Sequence, residues 1–183
     1  TPINILCNVE NLGGDFVVPL AYAGTVLVVG HTTSGTNLSD AHVELPVVRK
    51  PTSSNPLVAG SLGVQLRNIN ASRIYLSRIN YFETALKCGG IGEGTVYNNI
   101  YLSQLGYAKV LISLSPGSSG WCNSNNFFGG NLSQSTGFAG GSRLSGYRHL
   151  LVDGRSPATS VVGNSFYGTS FEGDVSEFTF DFN

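Results

Sequence analysis

A short phrase recurs along this chain, with apolar residues in fixed positions behind an Asn-rich lead-in. It reads Ser72-Arg73-Ile74-Tyr75-Leu76-Ser77-Arg78-Ile79, then Asn98-Asn99-Ile100-Tyr101-Leu102-Ser103-Gln104-Leu105. It returns as Asn125-Asn126-Phe127-Phe128-Gly129-Gly130-Asn131-Leu132 and as Asn164-Ser165-Phe166-Tyr167-Gly168-Thr169-Ser170-Phe171. The offsets are 26 (100 − 74), 27 (127 − 100) and 39 (166 − 127). A period of this size belongs to architectures in which each repeat buries its apolar face against its neighbours.

Within the phrase the apolar residues alternate, as in Ile74, Leu76 and then Ile79, or Ile100, Leu102 and then Leu105. Period two sends one set inward and its neighbours outward along a strand. Ser77, Ser103, Gly130 and Thr169 share a column of small residues where a bend is easy. A bend after each short strand winds the chain into a coil, and successive coils pair in parallel about 4.8 Å apart. The columns agree with this. One holds Ile74, Ile100, Phe127 and Phe166, the next Tyr75, Tyr101, Phe128 and Tyr167, and a third Ser72, Asn98, Asn125 and Asn164. Like side chains stacked in register interdigitate and form amide ladders. No apolar pattern holds a helical period over three turns. The sequence therefore predicts an all-β chain wound as a parallel β-helix.

Residues 1–60 do not share the phrase. Strands are expected at Ile3–Val9, Phe16–Leu20, Thr25–Val29 and Val43–Val48, separated by turn-rich stretches. This segment reads as an irregular β-rich N-terminal part, either early coils or a lateral subdomain, ahead of coils over 61–183. The last offset exceeds its predecessor by 12 (39 − 27), which predicts a loop inserted at about 135–162. Insertions in a stack protrude on one side, often the binding side.

Composition narrows the function classes. Of 183 residues 41% are apolar, so a packed core is expected, yet only 11% are charged. Lys50, Lys87 and Lys109 are the only lysines, and the net charge is −1. A phosphate backbone needs clustered cations, so no nucleic-acid partner is expected. No apolar run approaches the ~20 residues of a membrane span, so no membrane insertion is expected. An amide- and hydroxyl-rich surface instead suits glycans. Cys7, Cys88 and Cys122 lack zinc spacing, and His31 and His42 are isolated, so neither metal nor cofactor is expected. Free, buried thiols are the expectation for the cysteines. With no Met and a start at Thr1-Pro2-Ile3, the chain reads as a piece of a longer precursor.

The Asn-Asn-x-Tyr/Phe-x-Gly phrases, and above all Asn164-Ser165-Phe166-Tyr167-Gly168-Thr169-Ser170-Phe171-Glu172-Gly173, resemble the coils of pectate-lyase-like right-handed β-helices. Those of bacteriophage tailspike and tail-fibre proteins are the most similar in texture, and the resemblance covers Gly63 to Phe180. It implies a right-handed parallel β-helix and a homotrimer on the virion, at the phage tail. Such a protein is made in the host cytoplasm and acts in host recognition at the bacterial cell surface. The implied partner is a bacterial surface polysaccharide (capsule, exopolysaccharide or O-antigen), which the protein binds and in many members depolymerises, as a glycoside hydrolase or a polysaccharide lyase. A non-enzymatic adhesin or a structural shaft is the alternative.

Cleavage of a glycosidic bond by hydrolysis needs two carboxylates, roughly 5 to 9.5 Å apart. Glu172 and Asp174 lie two apart, so on an extended strand they share a face at about 6 to 7 Å. They are read either as an acid–base pair or as a solvated polar turn. Glu83 and Lys109 share a column and are expected to form a cross-strand ion pair. The insertion carries Arg143, Tyr147, Arg148, His149 and Arg155, read as contacts of a glycan-binding loop, together with Asp153 as a further candidate catalytic carboxylate. His149 is a candidate base oriented by Asp153, and Arg148 and Arg155 suit a uronate or sialate carboxylate. The competing reading is a loop fastened by an Asp153–Arg155 pair. Trp121, after a Gly/Ser run, either stacks on a sugar ring or packs on the scaffold.

Overall fold

A computed structural model describes residues 1–10, 13–51, 57–92, 94–117, 119–134, 146–154, 160–173 and 180–182. Among the described residues the chain is all-β, without a helix, and its strands form three sheets. Sheet I holds Ile3–Ile5, Thr25–Val29, Leu62–Leu66, Thr84–Cys88, Val110–Leu114, Arg148–Val152 and Phe180–Phe182. Sheet II holds Leu38–Ser39, Ile69–Asn70, Gly94–Val96 and Trp121–Asn123, with Ser160 bridged to Trp121. Sheet III holds Asp15–Val17, His42–Leu45, Val47–Arg49, Arg73–Asn80, Asn99–Gly106, Asn126–Phe128, Asn131–Gln134, Ser165–Tyr167 and Ser170–Gly173.

From Thr25 onward the chain visits sheets I, II and III in that order and then begins again. Successive passes pair in parallel, as in Ile74↔Ile100, Ile100↔Phe127 and Phe127↔Phe166. These are the columns read from the repeat, and the arrangement is compatible with a β-solenoid. The N-terminal strands are earlier rows of the same sheets, since Leu27 pairs with Val64 and Val43 with Ile74. They escape the sequence repeat because their polar columns differ, whereas their inward positions are still apolar.

The inward column is buried throughout, from Val43, Ile74 and Ile100 to Phe127. Burying each such side chain fully contributes about 1.5–3 kcal/mol. Phe127 and Phe166 stack with ring centres 4.6 Å apart, so even the large residues follow the row spacing. Outside sheet III a second ladder runs from Tyr75 to Tyr101, Phe128 and Tyr167, with centroids 4.5, 5.1 and 5.2 Å apart. The bend column breaks sheet III at Gly129–Gly130 and at Gly168, all at positive φ, whereas Ser77 and Ser103 lie within the unbroken strands Arg73–Asn80 and Asn99–Gly106.

The turn from sheet II to sheet III explains the Asn column. Asp40, Ala71, Tyr97, Ser124 and Gly163 occupy it, all at φ between 48° and 67°. Non-glycine residues in this left-handed region cost of order 1–3 kcal/mol and need over-determination by their surroundings. Here the next residue supplies it. Ser72 N–H donates to Asn98 Oδ1, Asn98 N–H to Asn125 Oδ1 and Asn125 N–H to Asn164 Oδ1, at 3.0 to 3.2 Å. Three of these backbone N–H groups are thus capped by the amide of the following row, and Ala41 N–H by Ser72 Oγ at 3.0 Å.

The 12-residue excess is narrowed by the pairing register. Partners differ by 27 at Gly106↔Ser133 (133 − 106) and by 38 at Val110↔Arg148 (148 − 110). They differ by 39 at Trp121↔Ser160 (160 − 121). Eleven of the extra residues therefore fall between Ser133 and Arg148 and one between Val152 and Ser160. Arg148, His149 and Asp153 consequently belong to a regular row of the stack and its immediate end.

Candidate functional site

The expected polar set of the insertion divides in three. Arg143 and Arg155 lie outside the described residues, as does Asp174. Tyr147 and His149 are buried, at 3% and 0% exposure, and this corrects their reading as glycan contacts. The physical reason is a local failure of period two in sheet I. Each row there buries two consecutive residues, Ala85 and Leu86, then Leu111 and Ile112, then His149 and Leu150. His149 takes the first of these core positions. Its ring meets Tyr147 edge-on at 4.8 Å and Phe171 at 5.9 Å, and its Nε2–H donates to the Glu172 carbonyl at 3.1 Å. Asp153 is half-buried four residues further along, about 13 Å of extended chain away, and its N–H donates to Leu114 O. His149 is a core histidine that ties sheet I to sheet III, not a base oriented by Asp153.

That contact fixes Glu172 from behind. The Glu172 carbonyl is held from the interior while its side chain is exposed on sheet III, where Oε1 accepts from Ser170 Oγ–H at 3.1 Å. Ser133 pairs with Glu172, so this carboxylate stands near the end of a sheet III strand, close to the turn into sheet I.

The equivalent turns of the three preceding passes carry a groove of about 440 Å³ lined by Glu83, Thr84, Lys109, Val110, Gly146, Arg148 and Leu151. Three successive rows build it, because Thr84 pairs with Val110 and Val110 with Arg148. Glu83 and Lys109 do sit in neighbouring rows, with Val110 N–H donating to Glu83 O. Their expected ion pair does not form. Glu83 Oε2 instead accepts from Gly60 N–H at 2.6 Å, one row back. Lys109 runs past Gly146; its carbonyl accepts from Arg148 N–H at 2.7 Å, but among the described residues its ammonium has neither hydrogen bond nor ion pair. Arg148 Nη1–H donates to the Tyr147 carbonyl at 2.9 Å, which sets the guanidinium at the groove. The sequence pointed to the column of Glu83 and Lys109 but missed Arg148 beside it, because only the offset of 38 aligns Arg148 with Val110.

Trp121 lies elsewhere, on sheet II, and is 37% exposed. Its indole covers Gly94 of the preceding row so closely that a Cβ there would meet Cδ1 and Nε1. Of its two readings, packing on the scaffold accounts for one face of the ring, and the remaining exposure is at the surface. A further hollow of about 360 Å³, lined by Leu114, Leu150, Val152, Phe166 and their neighbours, continues the apolar interior.

Among the described residues no three His, Cys, Asp or Glu side chains gather as metal ligands, and no helix is long and apolar enough to cross a membrane. Cys7 is exposed, which corrects the expectation that all three thiols are buried; Cys88 and Cys122 are buried. Burial first, and then the neighbouring Cys122, push the Cys88 thiol well above its ordinary range. Such a thiol is unreactive as a nucleophile. No family model, curated protein or solved structure matches this chain.

Proposed function

We propose that this chain is a right-handed parallel β-helix segment of a phage tailspike-like virion protein, a homotrimer that binds a bacterial surface polysaccharide. One observation carries the reading. The longest departure from the repeat and the 440 Å³ groove with Lys109 and Arg148 lie at turns from sheet III to sheet I, and the exposed carboxylate of Glu172 stands near the end of the sheet III strand that leads into the following such turn. A stack of rows supplies a rigid wall, and an elongated ligand lying along the row axis meets the same kind of position every ~4.8 Å. The groove it meets combines the Thr84 hydroxyl, the cations Lys109 and Arg148 and the apolar Val110 and Leu151, chemistry that suits a sugar's polar groups and one ring face.

Depolymerisation, in this proposal, belongs to Glu172 with Asp174. Glu172 has a backbone anchored from the interior and an exposed carboxylate, which is what a positioned acid or base requires. Asp153 is the reserve carboxylate, half-buried just past the end of Arg148–Val152 in sheet I. The non-enzymatic reading, an adhesin or a shaft, is favoured by a different fact: among the described residues Glu172 has a hydroxyl partner rather than a second carboxylate. Incubation with purified capsular and O-antigen polysaccharides separates the two. Falling chain length with new reducing ends or unsaturated uronates, abolished in Glu172→Gln and Asp174→Asn, is the enzymatic outcome. Retention without shortening is the adhesin outcome, and unchanged cleavage in both variants would sink the residue assignment.

A further inference from the structure

The groove at the turn from sheet III to sheet I concentrates what the rest of the chain avoids. Lysine and arginine together number 10 in 183 residues, yet two of them line this one hollow. They project from neighbouring rows, and Arg148 follows directly on the partner of Lys109 in the register set by Val110↔Arg148. The one carboxylate on the groove wall, Glu83, is turned onto the backbone N–H of Gly60 rather than onto Lys109. A half-buried ammonium facing a partly enclosed space is a positive site that the chain itself leaves uncompensated among the described residues. Opposite charge placed there gains from the reduced dielectric of the groove.

We infer that this groove binds the carboxylate of an acidic sugar residue, a uronate or a sialate, with Lys109 as its counter-charge and Arg148 as the neighbouring donor. The inference rests on the polysaccharide-binding reading and names the substrate class within it. Size agrees, since about 440 Å³ falls in the range of small-ligand sites, roughly 300–1,000 Å³. The apolar wall formed by Val110 and Leu151 gives one side of the ring a non-polar face, while the cations select for charge.

The test uses the intact chain in affinity electrophoresis through gels containing polygalacturonate, polysialic acid or neutral dextran. Retardation is expected with a polyacid and not with dextran, and it is expected to weaken as salt is raised. The two polyacids distinguish uronate from sialate. Lys109→Gln and Arg148→Gln are each expected to weaken retardation about tenfold, the scale of a charge-assisted contact. Arg73→Gln, an exposed cation on sheet III away from the groove, is expected to leave it unchanged. Circular dichroism confirms that each variant retains its β signal. Polyacid binding that survives both groove substitutions, or binding to dextran alone, overturns the groove assignment while leaving polysaccharide binding in place. Failure to bind any polysaccharide overturns both.

Discussion

The side chain of Asn98 donates from Nδ2 to Asn125 Oδ1 at 2.9 Å, and neither residue has any accessible surface. The relationship repeats one row on, where Asn125 Nδ2 donates to Asn164 Oδ1 at 2.9 Å. A buried amide is costly unless satisfied, and here each one is satisfied by its counterpart and by the backbone of the turn before it. The ladder therefore sets the register of the rows, since a slip of one residue would leave every amide unpaired at once.

Replacing Asn125 by Ala tests this directly. The change strands Asn98 N–H and the Thr95 carbonyl that Asn125 now meets at 2.7 Å, and it removes one partner each from Asn98 Nδ2 and Asn164 Oδ1. Losing these buried partners is expected to cost about 3–5 kcal/mol. Asn126→Ala, which removes one half-exposed contact to Asn99, is expected to cost less than about 1 kcal/mol. Urea midpoints of the two variants check the contrast, and equal losses would contradict the ladder.

Gly94 makes a second, independent prediction. Its missing side chain is what lets the Trp121 indole lie on sheet II. Gly94→Ala is expected to lift the ring, red-shift its fluorescence and cost about 1–3 kcal/mol. Trp121 is the sole tryptophan, so the emission reports on this contact alone. An unshifted spectrum would mean that the ring does not rest there.

Lys50 links the fold to pH. It has no accessible surface, although the chain covers it only thinly, and its Nζ donates to Tyr22 O at 2.6 Å beside the Phe82 ring. Burial lowers its pKa from the ordinary 10.5. Between that lowered value and 10.5 the unfolded chain holds more protons than the folded one, so this residue makes stability rise with pH. Below the lowered value both states are charged and the desolvation cost is constant. Urea midpoints of the native chain minus those of Lys50→Met are expected to climb toward alkaline pH. A flat difference would show that Lys50 keeps its ordinary pKa.

The columns of Ile, aromatic and Asn residues were legible because stacking like on like leaves a periodic trace in the sequence. Their pairing was legible too, down to Ile74↔Ile100 and Phe127↔Phe166. Burial of polar residues was not. His149 and Lys50 read as surface groups by type, yet tertiary contacts carry both inside. Sheet I buries two adjacent residues per row, and no alternation rule anticipates that. The extent of the insertion was also overread, because an offset between phrases in sheet III cannot say where within a turn of chain the extra residues fall. Only the intervening sheet I register resolves it. The groove was half visible, as Glu83 and Lys109 in one column, but Gly60 N–H captures the carboxylate from a row without the repeat.

The central claim is recognition of a polysaccharide, and calorimetric titration of the intact chain with a panel of purified bacterial capsular and O-antigen polysaccharides tests it most directly. Saturable binding to at least one of them, weakened in Lys109→Gln, is the predicted result. Heats indistinguishable from dilution across the whole panel would contradict it.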